Sequence, residues 1–491
     1  MKEQLKKLTS DSAVYGVSNI VGRFITFLLV PFYTQFLPQS DYGIVAVVYS
    51  GIAFLNGVFT FGLEPAYMRF VSGVDTARRN RIFGSSFLFI SGSSVLLFAL
   101  IMLFQPQLQL LLELEDQWRS IIPLALGMVA LDAMNIIPFA ALRMENRAKR
   151  FATIKIISIV INVGLNVLFI AILHESIVWI FVAGVLASLS STLLLLPTIV
   201  SHLRAKMKGP MLRELLRYGL PTMPGAVAIM LIEIIDKPIM LKLTDAATVG
   251  VYQANYKLGI FMMLVVTVFR YAWQPFYLQL SEKDDARELF ARVLTYFVLL
   301  GAIIVVLLSL FIGDLVRIPV PFTERLLIHP DYWGGIGIVP IILFSYVWAG
   351  IAQILNAGLY IKKKTMYILI ATATGAAVNI ATNFLLIPVW GMYGGAAATF
   401  AAYFAICIVY AAAGARIYPI RYEYGRLLRI GIALLLAAAL WYLVPTPEFL
   451  GHVLWRITII IVFAGVLLLS RFFNAAELRE VRRLGSRMRS K

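Results

Sequence analysis

Apolar stretches of about 20 residues, separated by short polar, glycine-rich or proline-rich turns, recur along the whole chain. They fall near 12–36, 42–63, 82–104, 119–142, 151–173 and 176–200, then 215–241, 249–275, 290–313, 336–361, 365–387 and 391–415, with two more near 425–444 and 453–471. A run of that length crosses the hydrocarbon core of a bilayer as a helix. The alternating ten-residue pattern of a membrane barrel is absent, and open strands cannot face lipid. The pattern therefore predicts an all-α integral membrane protein of about 14 transmembrane helices.

The polar residues that interrupt this pattern repeat. Tyr15-Gly16 recurs as Tyr218-Gly219, 203 positions later, and Pro31, Gly43 and Tyr49 recur as Pro238, Gly250 and Tyr256 at an offset of 207. Asn162 and Asn166 recur as Asn379 and Asn383 at an offset of 217, which Leu142 and Leu359 share. We read two six-helix lobes, 1–205 and 210–418, then two additional helices within 425–471 and a basic tail, 472–491. Six being even, the lobes share one orientation and are related by an axis along the membrane normal. Repeats of this kind hold a substrate at their interface near the midplane and work by rocking.

Composition supports lipid as the solvent. Of 491 residues 60% are hydrophobic and 14% charged, with a mean hydropathy of +0.84, whereas soluble domains carry about 25% charged residues. The net charge of +17 suggests nucleic acid until its distribution is read. One set of loops and ends carries 33 Lys and Arg, the other only Lys242, Arg317 and Arg325. That asymmetry marks topology, with both termini cytoplasmic, and no nucleic-acid partner is expected. The apolar segment after the basic start runs on without a cleavage site and reads as the first span, not a signal peptide. Cys407 is the single cysteine and the four histidines are unpaired, so neither a disulfide framework nor a metal site is expected. No phosphate-cradling glycine loop is present, and the longest outer loop, about 314–333, is too short for a catalytic domain. A non-enzymatic protein without cofactors is expected.

Within the spans, polar residues line up at helical spacing. Tyr49, Asn56, Thr60 and Glu64 share a face of the second span; Tyr252, Tyr256, Thr267, Arg270 and Gln274 share one of the eighth. Lys155, Ser158, Asn162 and Asn166 align in the fifth, Thr365, Thr372, Asn379 and Asn383 in the eleventh, and Tyr346, Gln353, Asn356 and Tyr360 in the tenth. Glu233, Asp236 and Lys237 sit near the far end of the seventh span, and Lys257 in the eighth. Arg23 in the first and Asp132 in the fourth stand among apolar neighbours. A charge at bilayer depth costs about 2.5–3.5 kcal/mol on insertion scales, so such groups face protein or a water-filled cavity. The candidate substrate-binding set is Arg23, Tyr49, Asn56, Asp132, Lys155, Asn162, Glu233, Asp236, Lys237, Tyr256, Lys257 and Arg270. Cations bind phosphate, and aromatic rings pack on sugars. The structural alternatives are asparagines as interhelical glue, mutual pairing of Glu233, Asp236 and Lys237 at the outer boundary, pairing of Arg23, Lys155 or Arg270 with Asp132 or Glu64, and Tyr42 and Tyr332 as interfacial residues.

The segments LVPFYTQFLPQSDYG (29–43), RYGLPTMPG (217–225), Asp236-Lys237 with VGVYQANYKL (249–258), and NFLLIPVWGMYGGAAAT (383–399) resemble bacterial polysaccharide-export flippases of the Wzx type. That family belongs to the MOP (MATE/oligosaccharidyl-lipid/polysaccharide) superfamily, with the MATE exporters and lipid II flippases. The resemblance covers about 8–418. It implies two lobes forming a V that opens alternately to each side, and transport of an undecaprenyl-diphosphate-linked oligosaccharide across a bacterial cytoplasmic membrane. Membrane lipid, a coupling ion (H+ or Na+) and polysaccharide polymerase or export proteins are the expected partners. A cation-coupled small-molecule exporter and a lipid II flippase are the alternatives on the same scaffold.

Overall fold

The structure is a computed structural model that describes residues 27–203, 209–280, 286–320, 325–445 and 451–473. Arg23 and the basic tail from 474 onward lie outside the described residues. Among the described residues twelve helices are long and apolar enough to span a membrane, and a bent pair makes a thirteenth. The first expected span is described only over the apolar helix α1 (Phe27–Phe36).

The first lobe continues with α2 (Gln39–Phe59), the short α3 (Leu63–Val71), α4 (Thr76–Met102), the short α5 (Gln105–Leu111), α6 (Ile121–Met144), α7 (Ala148–Asn166) and α8 (Val178–His202). Asp75 caps α4 by accepting from the Arg78 amide at 3.2 Å, satisfying one of the free amides of the first turn. Arg119 falls before α6, at the end opposite the basic one, so four basic loop residues rather than three lie there.

Helix α9 (Gly209–Gly219) leads into the second lobe, through a 3-10 turn, to α10 (Met223–Ile234) and α11 (Asp236–Leu243). These are one expected span, interrupted at Ile235. Next come α12 (Ala246–Leu258) and α13 (Ile260–Leu280), bent 45° from each other. Then follow α14 (Ala286–Leu315), α15 (Val339–Leu355), the short α16 (Ala357–Ile361), α17 (Met366–Trp390) and α18 (Met392–Ile417). Helices α19 (Tyr424–Leu443) and α20 (His452–Leu469) pack with α14 around their own apolar cluster, including Ala302, Val306, Ile430, Ile459 and Phe463. Outward-facing Leu96, Val160, Leu385, Leu435 and Leu469 are all exposed by 59% or more. A soluble surface would not carry so many large apolar side chains together.

The lobes touch through their repeated positions. Gly43 of α2 and Gly250 of α12 face each other, where a Cβ on Gly43 would collide with the Ala246 carbonyl and one on Gly250 with the Gln39 carbonyl. Gln39 and Ala246 are themselves 207 apart, so the contact has the symmetry of the repeat. Only glycine lets two backbones approach so closely. At this end Tyr332 donates to the Leu37 carbonyl (2.8 Å) and meets Tyr42 edge-on, and Lys242 pairs with Glu113 (2.9 Å). Tyr42 and Tyr332 are thus buried between the lobes, 3% and 1% exposed, rather than set in an interfacial belt. Towards the basic end, Gly62 (φ 64°) packs against the Gly219 backbone, and Tyr218 receives Phe70 edge-on and the Arg69 guanidinium at 5.2 Å.

Candidate functional site

Between these contacts the lobes enclose a cavity of about 750 Å³. Eight of the twelve candidate residues line it: Tyr49, Asp132, Lys155, Asn162, Glu233, Lys237, Tyr256 and Lys257.

The first lobe's wall is built from five helices, α1, α2, α6, α7 and α8. Tyr49 of α2 stacks on Phe181 of α8 at 5.5 Å. Asp132 of α6 accepts from the Ser188 hydroxyl of α8 at 2.7 Å and from the Asn56 side chain of α2. Asn56 therefore acts through Asp132 rather than lining the space itself. Lys155 of α7 extends along the wall with its ammonium 4.3 Å from the Phe139 ring, and the side chain stays exposed to the cavity. One helical turn on, Asn166 donates to the Asn162 carbonyl (2.8 Å) and accepts from Tyr33 (2.8 Å). In the second lobe Asn383 donates to the Asn379 carbonyl in the same way, at 2.9 Å. The repeat is thus visible as one hydrogen bond made twice. Asn379 and Asn383 are fully buried and bond to each other within α17, away from the cavity lining.

The second lobe's wall is a buried ionic network. Asp245 caps α12 through the Thr248 amide and hydroxyl, both at 2.8 Å, and fixes the start of the helix that carries Tyr252, Tyr256 and Lys257. Glu233 ends α10 and accepts from Tyr256 (3.3 Å), Tyr346 (3.1 Å) and Tyr403. Lys237, one turn further, donates to Asp236 Oδ1 (2.7 Å) and to the Glu233 carbonyl (2.9 Å), with its ammonium 4.4 Å from the Tyr256 ring. Asp236 lies behind it, 0% exposed, and accepts from Tyr252 at 2.5 Å. The mutual pairing offered as the structural alternative exists for Asp236 and Lys237, and the pair lies against the cavity with Asp236 buried behind Lys237. At the α12–α13 bend, Gly259 packs against Ile342 and Tyr346 of α15, and Lys257 faces the cavity.

Two candidates fall elsewhere. Arg270 of α13 is exposed outside this cavity, 5.8 Å from the Tyr271 ring. Arg23 is outside the described residues. Glu64 pairs with Arg143 of α6, not with a candidate cation. The sequence reading missed Ser188 and Tyr403. Tyr403 lies near the middle of α18, between Tyr393 and Tyr410 and among alanines, and gave no distinct signal. Among the described residues no group of His, Cys, Asp and Glu could hold a metal ion.

Comparison with known proteins follows this geometry. Residues 33–320 match the family described as polysaccharide biosynthesis protein. No curated protein matches the sequence. Among solved structures, the lipid II flippase MurJ in an inward closed conformation superposes with a TM-score of 0.68 at 16% identity, over 93% of this chain and 98% of that one. A multidrug-resistance MATE transporter of the MOP superfamily, inward-facing, gives 0.65 at 14% identity, over 80% and 94%. The MATE multidrug transporter DinF-BH gives 0.57 at 20% identity, over 84% and 95%. At such identities these likenesses show a shared fold. The matched family covers more than half of the chain, and the chain belongs to the polysaccharide biosynthesis protein family, with the fold of the MOP-superfamily transporters.

Proposed function

We propose that this protein is a flippase that carries an undecaprenyl-diphosphate-linked oligosaccharide across the bacterial cytoplasmic membrane, for surface polysaccharides such as O-antigen. Both termini are cytoplasmic, and the lobes open alternately to either side. The observation that carries this reading is the cavity between the lobes, with Lys155 and Lys257 exposed to it and tyrosines set around them. An ammonium meets a phosphate oxygen as a point charge. Tyr49, Tyr256 and Asn162 offer aromatic faces and uncharged polar groups to a sugar. The family match to polysaccharide biosynthesis supports the cargo class.

A cationic drug would want an excess of carboxylate in the first lobe. There Asp132 faces Lys155 instead. Transport draws on an ion gradient, of H+ or Na+, or on consumption of the cargo outside by polymerase or export partners; the protein performs no covalent chemistry. The test is complementation of a strain lacking its own flippase, read by surface glycan with the protein quantified in the membrane. The parent restores the glycan; Lys155→Ala, inserted equally, reduces it at least tenfold. Normal surface glycan with Lys155→Ala would overturn the assignment of this cavity.

A further inference from the structure

The ammonium of Lys237 lines the cavity, yet each of its directions is taken. An ammonium has three donors. Asp236 Oδ1 receives one at 2.7 Å, the Glu233 carbonyl one at 2.9 Å, and the Tyr256 ring lies 4.4 Å away. Lys237 can meet an anionic cargo only by leaving a partner.

Asp236 is the partner built to be left. Its carboxylate also accepts from the Lys237 backbone amide at 3.0 Å and from Tyr252 at 2.5 Å, so two bonds remain when the ammonium departs. The helix is interrupted at Ile235, between the residues that carry Glu233 and this pair. An apolar pair would pack there at no greater cost, since buried ion pairs seldom add stability over hydrophobic residues. Keeping one against a substrate cavity suggests use.

Charge balance supplies the rest. Lys155, Lys237 and Lys257 share the cavity lining with Asp132 and Glu233, and Asp236 lies directly behind Lys237. Three described lysines thus match three carboxylates, and a diphosphate brings two further negative charges. We propose that Asp236 is a stand-in for the cargo's phosphate. On binding, Lys237 exchanges its Asp236 oxygen for a phosphate oxygen, and Asp236 takes one proton from cavity water. A carboxylate without exposure that loses its ammonium is costly as an anion and neutralises instead. The titratable groups facing it are Tyr252 and Tyr256 of α12, Tyr346 of α15, and Lys237 and Glu233 from its own span. Glu233, the other carboxylate, already has three phenol donors. Release on the far side reverses the exchange, so one proton leaves with each cargo, and the drive is then a Na+ gradient or consumption of the cargo outside, not the H+ gradient.

This inference rests on the flippase reading, and the test separates the two. The full chain in lipid nanodiscs is titrated with undecaprenyl diphosphate bearing one N-acetylglucosamine, whose phosphates do not titrate near neutrality. Affinity is measured from about pH 6 to 8.5, and proton uptake is read by an indicator dye in weak buffer. Binding should take up about one proton and weaken about tenfold per unit rise in pH. Asp236→Asn should bind at least tenfold tighter at pH 8 with no uptake, and Glu233→Gln should keep the uptake. Binding without proton uptake, or uptake that survives in Asp236→Asn, overturns the exchange and leaves the flippase reading standing. No binding by the parent overturns both. If Asp236→Asn does not insert, the parent's proton count and pH profile decide.

Discussion

Lys155 and Glu233 show how differently two charged residues can be held in one cavity. Lys155 has a ring at 4.3 Å beneath its ammonium and remains exposed; Glu233 is gripped by three phenols. Substitutions should separate them. If charge matters more than the fork of a guanidinium, Lys155→Arg keeps part of the surface glycan that Lys155→Ala loses, and Lys155→Glu is at least as damaging as alanine. Tyr403→Phe removes one donor from a half-buried carboxylate, worth about 1.5–3 kcal/mol for a hydrogen bond to a charged group. It should lower the thermal midpoint of the purified protein, whereas Tyr367→Phe, at an exposed position on α17, should leave it unchanged. An equal midpoint for Tyr403→Phe would mean that the carboxylate finds another donor. The charged positions were legible in the sequence because a charge inside an apolar run is conspicuous. Their partners were not: Ser188 and Tyr403 come from helices far along the chain, and helical spacing relates residues only within one helix.

At the scale of elements, α2 and α12 carry the argument. Each is the second span of its lobe, and their glycines meet at equivalent positions. Gly43→Leu has no room for its side chain against a carbonyl oxygen, so the helices must part at that end. With Cys407 replaced by alanine, a single cysteine at the cavity-lining Ser50 should then react faster with a membrane-impermeant thiol reagent added at that face. An unchanged rate would mean that the two glycines do not seal the cavity. Hydropathy made the spans themselves readable, since lipid leaves the backbone no alternative to internal hydrogen bonds. The interruption at Ile235 and the bend at Gly259 were not readable. Both arise where packing against other helices, such as α15 at Gly259, decides the path.

For the whole molecule, the charge asymmetry and the repeat carry the topology. In the same cysteine-free background, single cysteines at Asp75, Gln107, Lys206 and Lys363 should divide, Gln107 alone reacting from outside intact cells. Labelling of Lys206 from outside would break the assignment of the termini. What the repeat could not convey is the burial of the Asp236–Lys237 pair. Its position near the end of an apolar run suggested the boundary, while folding buries it beneath Tyr252 and Tyr256. The central claim concerns transport and is tested most directly with the purified chain. Proteoliposomes receive an undecaprenyl-diphosphate-linked oligosaccharide with a fluorescent sugar, and its arrival in the opposite leaflet is followed by quenching with a membrane-impermeant reagent. The account predicts movement well above protein-free vesicles, and a loss of at least tenfold in Lys155→Ala at equal incorporation. Movement no faster than in protein-free vesicles, or equal rates for parent and variant, would contradict it.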